Sequence, residues 1–370
     1  MGSVRLGKIL GIEVGFNWSL VFIVGLIVYQ LALGVFPQDV PGMPALTYWL
    51  AGAIAAIAFV SCLLAHELAH SVVARGRGVR VSGITLWLFG GVAQLDGEPR
   101  TARDEAVIAG VGPLTSLAIA AVAAVLWYAT RSLTLVAEVL LWLTVVNVAL
   151  AVFNLVPAFP LDGGRLLSAV FWWRQGTRER GVHSAVRIGR VLAIVMIGLG
   201  VVLAVTVSIF NGIWLAIIGW FLLNAGSREE AGSVMKTALR SVPVSAAMTS
   251  PVVTIPDWLT IGQFLESVAP EHPFTTYPLH DPAGNLTGVV RLGDLVKLGR
   301  EAADGRLSSV GRPISEIPTT RPDETLSALI DRIGAAIENR VLVFDQGRLV
   351  GIVSPIDVAR LIAVRQPARS

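Results

Sequence analysis

His66, Glu67 and His70 stand as H-E-L-A-H inside an apolar run from Leu46 to Val73. That run is long enough to cross a bilayer. On a helix, positions i and i+4 share one face, so both imidazoles can point at a single metal ion. Glu67 then sits beside the ion, placed to take a proton from a bound water. Ionisable groups in hydrocarbon cost about 2.5–3.5 kcal/mol each on insertion scales, so their retention here points to function.

Two histidines leave a catalytic zinc site one protein ligand short, because such sites hold three and keep a position for water. The stretch Asn154 to Arg165, N-L-V-P-A-F-P-L-D-G-G-R, offers Asp162 at the end of another apolar run. Pro157 and Pro160 break the helix and Gly163-Gly164 permit an irregular backbone, so Asp162 is expected on a loop at the depth of His66 and His70. Asp96, Glu98, Asp104 and Glu105 are rival carboxylates in a more polar segment, and Glu138 falls near the opposite face. His183 reads as a loop-borne surface residue. Asn154 serves either as an oxyanion donor or as a cap on the helix end before the proline break. Cys62, the only cysteine, precludes an intrachain disulfide and reads as a small apolar filler.

The elements that must position these groups are legible in composition. Hydrophobic residues make up 54% of the 370, charged residues 15%, and mean hydropathy is +0.69. An ordinary soluble domain is excluded, and the fold class expected is a polytopic α-helical membrane protein with a soluble part. Spans are expected at about 16–36, 46–73, 106–128, 133–156 and 190–210, with a short sixth at 212–224. Arg and Lys cluster after the second, fourth and sixth runs and at the N-terminus, while the opposite connections offer only Arg131. By the positive-inside rule the N-terminus, the H-E-L-A-H end and the C-terminal third are cytoplasmic. The net charge of +3 is thus a topology signal, and nucleic acid is not an expected partner. Val14 to Phe36 lacks a small-residue cleavage site and reads as a retained span.

Val79 to Leu95 reads as strand, turn, strand, a membrane-associated β-hairpin with paired glycines at 90 and 91. An open edge cannot face lipid, so it must lie against helices or line a wet cavity, where it could accept an extended peptide. From Ser241 onward charges, prolines and short strands replace the apolar runs. Pro256-Asp257 is echoed by Pro322-Asp323, and G-V-V-R-L-G-D-L from Gly288 by G-I-V-S-P-I-D-V from Gly351. Two similar αβ modules are implied. The expected divisions are a membrane domain over 1–226, a linker over 227–240, and paired modules over 241–302 and 308–370.

The H-E-L-A-H helix, F-G-G-V-A-Q-L hairpin, G-V-G-P-L-T-S stretch at Gly110 to Ser116 and N-L-V-P-A-F-P-L-D-G-G-R loop together resemble the site-2 protease family, over roughly residues 1–226. The resemblance implies zinc on His66, His70 and Asp162 with Glu67 as catalytic base. It also implies an enzyme of a prokaryotic cytoplasmic (inner) membrane that cuts transmembrane or membrane-proximal segments of other membrane proteins, often anti-sigma factors, in regulated intramembrane proteolysis. The C-terminal part resembles a tandem pair of CBS domains, whose members bind adenine nucleotides, regulate attached proteins and associate as dimers. Ser354 and Asp357 fit that family's ribose and phosphate element, whereas Arg291 replaces its hydroxyl residue in the first repeat. A CBS-regulated metal-ion transporter would need polarity across the whole bilayer, and an inactive scaffold would be expected to lose Glu67 or a ligand. Neither condition is met by this sequence.

Overall fold

The computed structural model describes residues 3–87, 90–272, 274–298, 302–333 and 340–365. The chain folds as two compact units, Met1–Val234 and Met235–Ser370.

Among the described residues of the first unit, β1 (Ser3–Ile9) and β2 (Ile12–Asn17) form an antiparallel hairpin. Asn17 ends it by accepting the Ser19 amide N–H at 2.9 Å, which caps the first span, Trp18–Asp39. The remaining spans are Ala45–Gly76, Ala102–Thr130, Thr134–Asn154, Arg178–Thr206 and Ile209–Leu239. Their outward faces carry exposed apolar side chains such as Phe22, Leu50, Ile57 and Val125, the surface that lipid covers. The expected fifth run is only the apolar part of a helix that begins at Arg178. Its first three turns are amphipathic, so hydropathy alone misses them. His183 accordingly lies on this helix and not on a loop, with its Nδ1 paired to Glu230.

Between the second and third spans lie β3 (Arg80–Trp87) and β4 (Gly90–Asp96), paired antiparallel through Leu86↔Gly91 and Trp87↔Gly90. Leu88 and Phe89, which join them, lie outside the described residues. β3 also pairs in parallel with β2, so the expected hairpin is half of a four-stranded sheet ordered β1-β2-β3-β4. Ile12, Leu20, Leu63, Ile84 and Leu86 form one buried cluster, which fixes the sheet against the first two spans.

A charged tie holds the start of the third span to the start of the fifth. Arg178 reaches Glu98 at 3.0 Å and Glu105 at 3.3 Å, and the Glu105 side chain is 2% exposed. Removing one member of a buried pair leaves the other charge desolvated, at a cost of about 3–5 kcal/mol. Arg178→Met is therefore expected to lower the unfolding midpoint in detergent, and adding Glu105→Gln should recover most of the loss. An unchanged midpoint in Arg178→Met would remove this role.

In the second unit the sheet β5-β6-β7-β8 comprises Ile255–Pro256, Thr276–His280, Leu286–Arg291 and Arg312–Pro313. A second sheet, β11-β10-β9, comprises Arg348–Val353, Val341–Asp345 and Thr319–Thr320. In each repeat a short strand pairs in parallel with the strand that opens an antiparallel hairpin, and a helix follows that hairpin (Leu292–Leu298, Pro355–Arg365). One core gathers Ile255, Phe264, Tyr277 and Leu295, the other Val341, Val343, Val353 and Val358. The repeat seen in the sequence is a repeat of structure.

Candidate metal centre

His66 and His70 sit on the second span, buried to 2% and 8% exposure, with their Nε2 atoms 3.1 Å apart. Asp162 Oδ2 lies 3.3 Å from one and 3.2 Å from the other. Asp162 opens a helix, Asp162–Gln175, and is not held on a loop as the prolines suggested. Pro157 and Pro160 break the chain before it. Gly163 and Gly164 are needed for close packing: a Cβ would lie 2.2 Å from the Leu155 carbonyl oxygen and 2.6 Å from the Ala158 carbonyl carbon. Small residues let that helix start press against the end of the fourth span.

Hydrogen-bond chemistry tests whether these groups suit a cation. His70 Nδ1 stands 2.6 Å from the Ile108 carbonyl, which only accepts, so Nδ1 carries the proton and a neutral ring leaves Nε2 bare. His66 Nδ1 is likewise engaged, 2.9 Å from Ser116 Oγ. Asp162 Oδ2 is buried and has no hydrogen-bond donor. His66 Nε2, His70 Nε2 and Asp162 Oδ2 thus face one point. Ligands about 2.0–2.1 Å from a tetrahedral zinc ion would stand about 3.3–3.4 Å from one another, and the observed edges fall just inside that. Gly112 of the third span leaves the space open, since a Cβ there would sit 2.1 Å from His70 Nε2 and 2.6 Å from His66 Nε2. The residues fit the metal.

Glu67 lies on the same helical turn and packs on β4, where a Gly91 Cβ would come within 2.3 Å of its Cγ. Asn154 closes the fourth span and donates from Nδ2 to the Leu150 carbonyl at 3.0 Å. Its depth follows from register: Phe59 of the second span meets Trp142 of the fourth, ring centroids 6.0 Å apart, and the two spans run the same way. From that contact His70 is about 17 Å further along its helix and Asn154 about 18 Å along its own. The rival carboxylates are engaged elsewhere, Asp104 with Arg77 at 2.7 Å and Glu98 and Glu105 with Arg178. The Asp96 side chain lies outside the described residues. Sequence reasoning missed roles for Ile108, Gly112 and Ser116; their four-residue spacing was the available signal.

In the second unit Ser354 and Asp357 meet at the start of the helix Pro355–Arg365, the Ser354 amide N–H donating to Asp357 Oδ2 at 2.9 Å. A cavity of about 300 Å³ lies against the first repeat, among Arg291, Asp294, Arg312 and Arg340 over apolar residues including Leu295 and Leu342.

Two histidines on a membrane-length helix, a facing carboxylate and a glutamate alongside are the equipment of a membrane-embedded metallohydrolase. A model of Peptidase family M50 matches residues 54–136 and 128–196, and one of the CBS domain matches 307–364. Rip3 of Mycobacterium tuberculosis, provisionally named a zinc metalloprotease, is 41% identical over 99% of this chain and 94% of its own. A zinc metalloprotease of Methanocaldococcus jannaschii is 29% identical over 98% of this chain and 96% of its own. A solved site-2 protease from the same archaeon aligns at 27% identity and a TM-score of 0.42, covering 62% of this chain and 95% of that one. The chain belongs to peptidase family M50, the site-2 proteases. It is a multi-pass membrane metalloprotease with a C-terminal CBS region.

Proposed function

We propose that this protein is an intramembrane zinc endopeptidase, with His66, His70 and Asp162 as ligands and Glu67 as general base. One observation carries this reading: ligand atoms of His66, His70 and Asp162 converge between long apolar helices, beside a carboxylate outside that cluster. His70 lies six residues from the helix end at Gly76, about 9 Å inside it, so that end offers water the shorter way in along this helix. Held by His66, His70 and Asp162, zinc would supply a water of pKa lowered toward ~7 and a Lewis acid for the scissile carbonyl. Glu67 takes the proton from the attacking water and delivers it to the leaving amine. Asn154, at the depth of His70, donates its second Nδ2 hydrogen to the developing oxyanion.

The outer edge of β4 pairs with no strand among the described residues and adjoins Glu67. A substrate helix hides its carbonyls in hydrogen bonds and must unwind, and an open edge gives the unwound segment backbone partners. Substrates on this reading are membrane proteins with a transmembrane segment; the family resemblance adds anti-sigma factors among them, cut in regulated intramembrane proteolysis at a prokaryotic inner membrane. Mass-spectrometric mapping on a single-span substrate in proteoliposomes is expected to place the cut within the apolar segment or a turn from it. Cleavage confined to soluble loops would contradict this. Arg75, Arg77 and Arg80 put the H-E-L-A-H end, and with it the C-terminus, on the cytoplasmic side; a periplasmic signal from a C-terminal reporter would reverse that.

An adenine nucleotide regulates the CBS pair, its phosphates held by the cavity arginines. Asp357 acts electrostatically on Arg340, which brings Ser354 and Asp357 near this ligand although neither lines the cavity. Arg340→Ala is expected to weaken ATP binding at least tenfold, read as loss of the ATP-induced thermal shift. If ATP, ADP and AMP changed neither stability nor cleavage of the wild type, nucleotide control would be excluded. The CBS region also pairs two chains, and a monomeric mass in detergent would rule that out.

A further inference from the structure

Ile108, Gly112 and Ser116 are spaced by four and so lie on one stripe of the third span. Every feature of that stripe meets the histidine pair. The Ile108 carbonyl accepts the His70 Nδ1–H at 2.6 Å. Gly112 clears the space in front of both Nε2 atoms. Ser116 Oγ, fully buried, stands 2.9 Å from His66 Nδ1. Pro113, inside the same helix, has no N–H to give the preceding turn and loosens the backbone ladder beside Ile108.

An imidazole in a helix can bind metal through either nitrogen, and its ring can rotate about the Cβ–Cγ bond. The partner of the distal nitrogen settles both choices. For His70 a backbone carbonyl does this, and no side-chain substitution can remove it. For His66 the partner is a side chain. We propose that Ser116 is the positioning residue for His66: its hydroxyl oxygen accepts the Nδ1–H, fixes the tautomer with Nε2 bare, and aims that nitrogen at the metal. The third span thereby acts as a jig for both ligands, one end using backbone and the other a hydroxyl. This inference rests on the zinc reading above.

The test compares Ser116→Ala, Ser116→Thr and Ser168→Ala in the full-length protein. Ser168 is equally buried, carries a hydroxyl without a partner, and lies on the helix Asp162–Gln175, so its loss controls for removing any buried hydroxyl. Zinc affinity, measured by competition with a chromogenic chelator, is expected to fall about 10–100-fold in Ser116→Ala. Ser116→Thr should restore most of it, and Ser168→Ala should stay near wild type. With cobalt in place of zinc, the d–d absorption bands should shift only in Ser116→Ala. Turnover should fall with KM unchanged, because Ser116 touches no substrate.

Zinc affinity of Ser116→Ala within threefold of Ser168→Ala would overturn the proposal. Should Ser116→Ala fail to fold, nitrogen NMR of ¹⁵N-histidine-labelled, zinc-loaded wild type decides: His66 must carry its proton on Nδ1, and a metal on Nδ1 would refute the assignment. A wild type that binds no zinc at all would instead remove the metal reading itself, so the two failures are distinguishable.

Discussion

Glu67→Gln leaves a protein that binds zinc as the wild type does and cuts nothing measurable. Glutamine keeps the shape of the side chain and its packing on β4, where the glycine at position 91 leaves room for Cγ and Cδ. It removes the only property the reaction asks of this residue, a lone pair basic enough to hold a proton between water and leaving amine. General base catalysis contributes about 10²–10⁴-fold, so turnover is expected to fall by at least that range with KM nearly unchanged. Neither Glu67 oxygen belongs to the metal-binding cluster, which is His66, His70 and Asp162. Zinc content should therefore stay near one per chain. Loss of zinc together with activity would mean that Glu67 ligates the metal, and retained activity would mean that another group moves the proton.

Gly112→Ala is expected to do the opposite, destroying metal binding before any chemistry can start. The added methyl carbon would lie 2.1 Å from His70 Nε2, far inside van der Waals contact and in the space where the ligand atoms converge. Relief requires the third span to move away or both imidazoles to turn. Moving the span breaks the Ile108 and Ser116 contacts, and turning the rings points Nε2 elsewhere. Zinc content should drop to background. Gly110→Ala, two residues away, is the matched control: its Cβ would meet only Leu166 Cδ2, at 3.8 Å. Replacing glycine by alanine there should raise helix propensity slightly and leave zinc in place. Stoichiometric zinc in purified Gly112→Ala would show that the ion does not sit between the second and third spans.

The legible part of this molecule is the part whose signal is local. H-E-L-A-H fixes two ligands and a base through helix periodicity alone, and apolar runs announce spans because lipid tolerates little else. Asp162 can be found because prolines and glycines mark an unusual backbone, although the helix it opens is hidden by those same residues. The pairing of β2 with β3 joins residues about seventy apart, and no periodicity within either strand reports it. The amphipathic start of the fifth span, with Arg178 and His183, is masked because charge on a helix extension looks like loop composition. Ser116 falls within a recognisable motif yet shows no role there, since the four-residue spacing from Ile108 and Gly112 marks a stripe but names no partner until the histidine across from it is known. The CBS repeat is visible as sequence echo; the arginine cavity, drawn from several strands and a helix, is not.

The most direct measurement is zinc K-edge X-ray absorption on purified wild-type protein, with metal content determined on the same sample and on Asp162→Ala. A site built from His66, His70 and Asp162 requires near-stoichiometric zinc in the wild type. Its first shell must be nitrogen and oxygen only, at about 2.0–2.1 Å with imidazole back-scattering, and zinc must be depleted in the variant. A sulfur scatterer at about 2.3 Å, which only Cys62 or a methionine could supply, or zinc retained in full by Asp162→Ala, would contradict it.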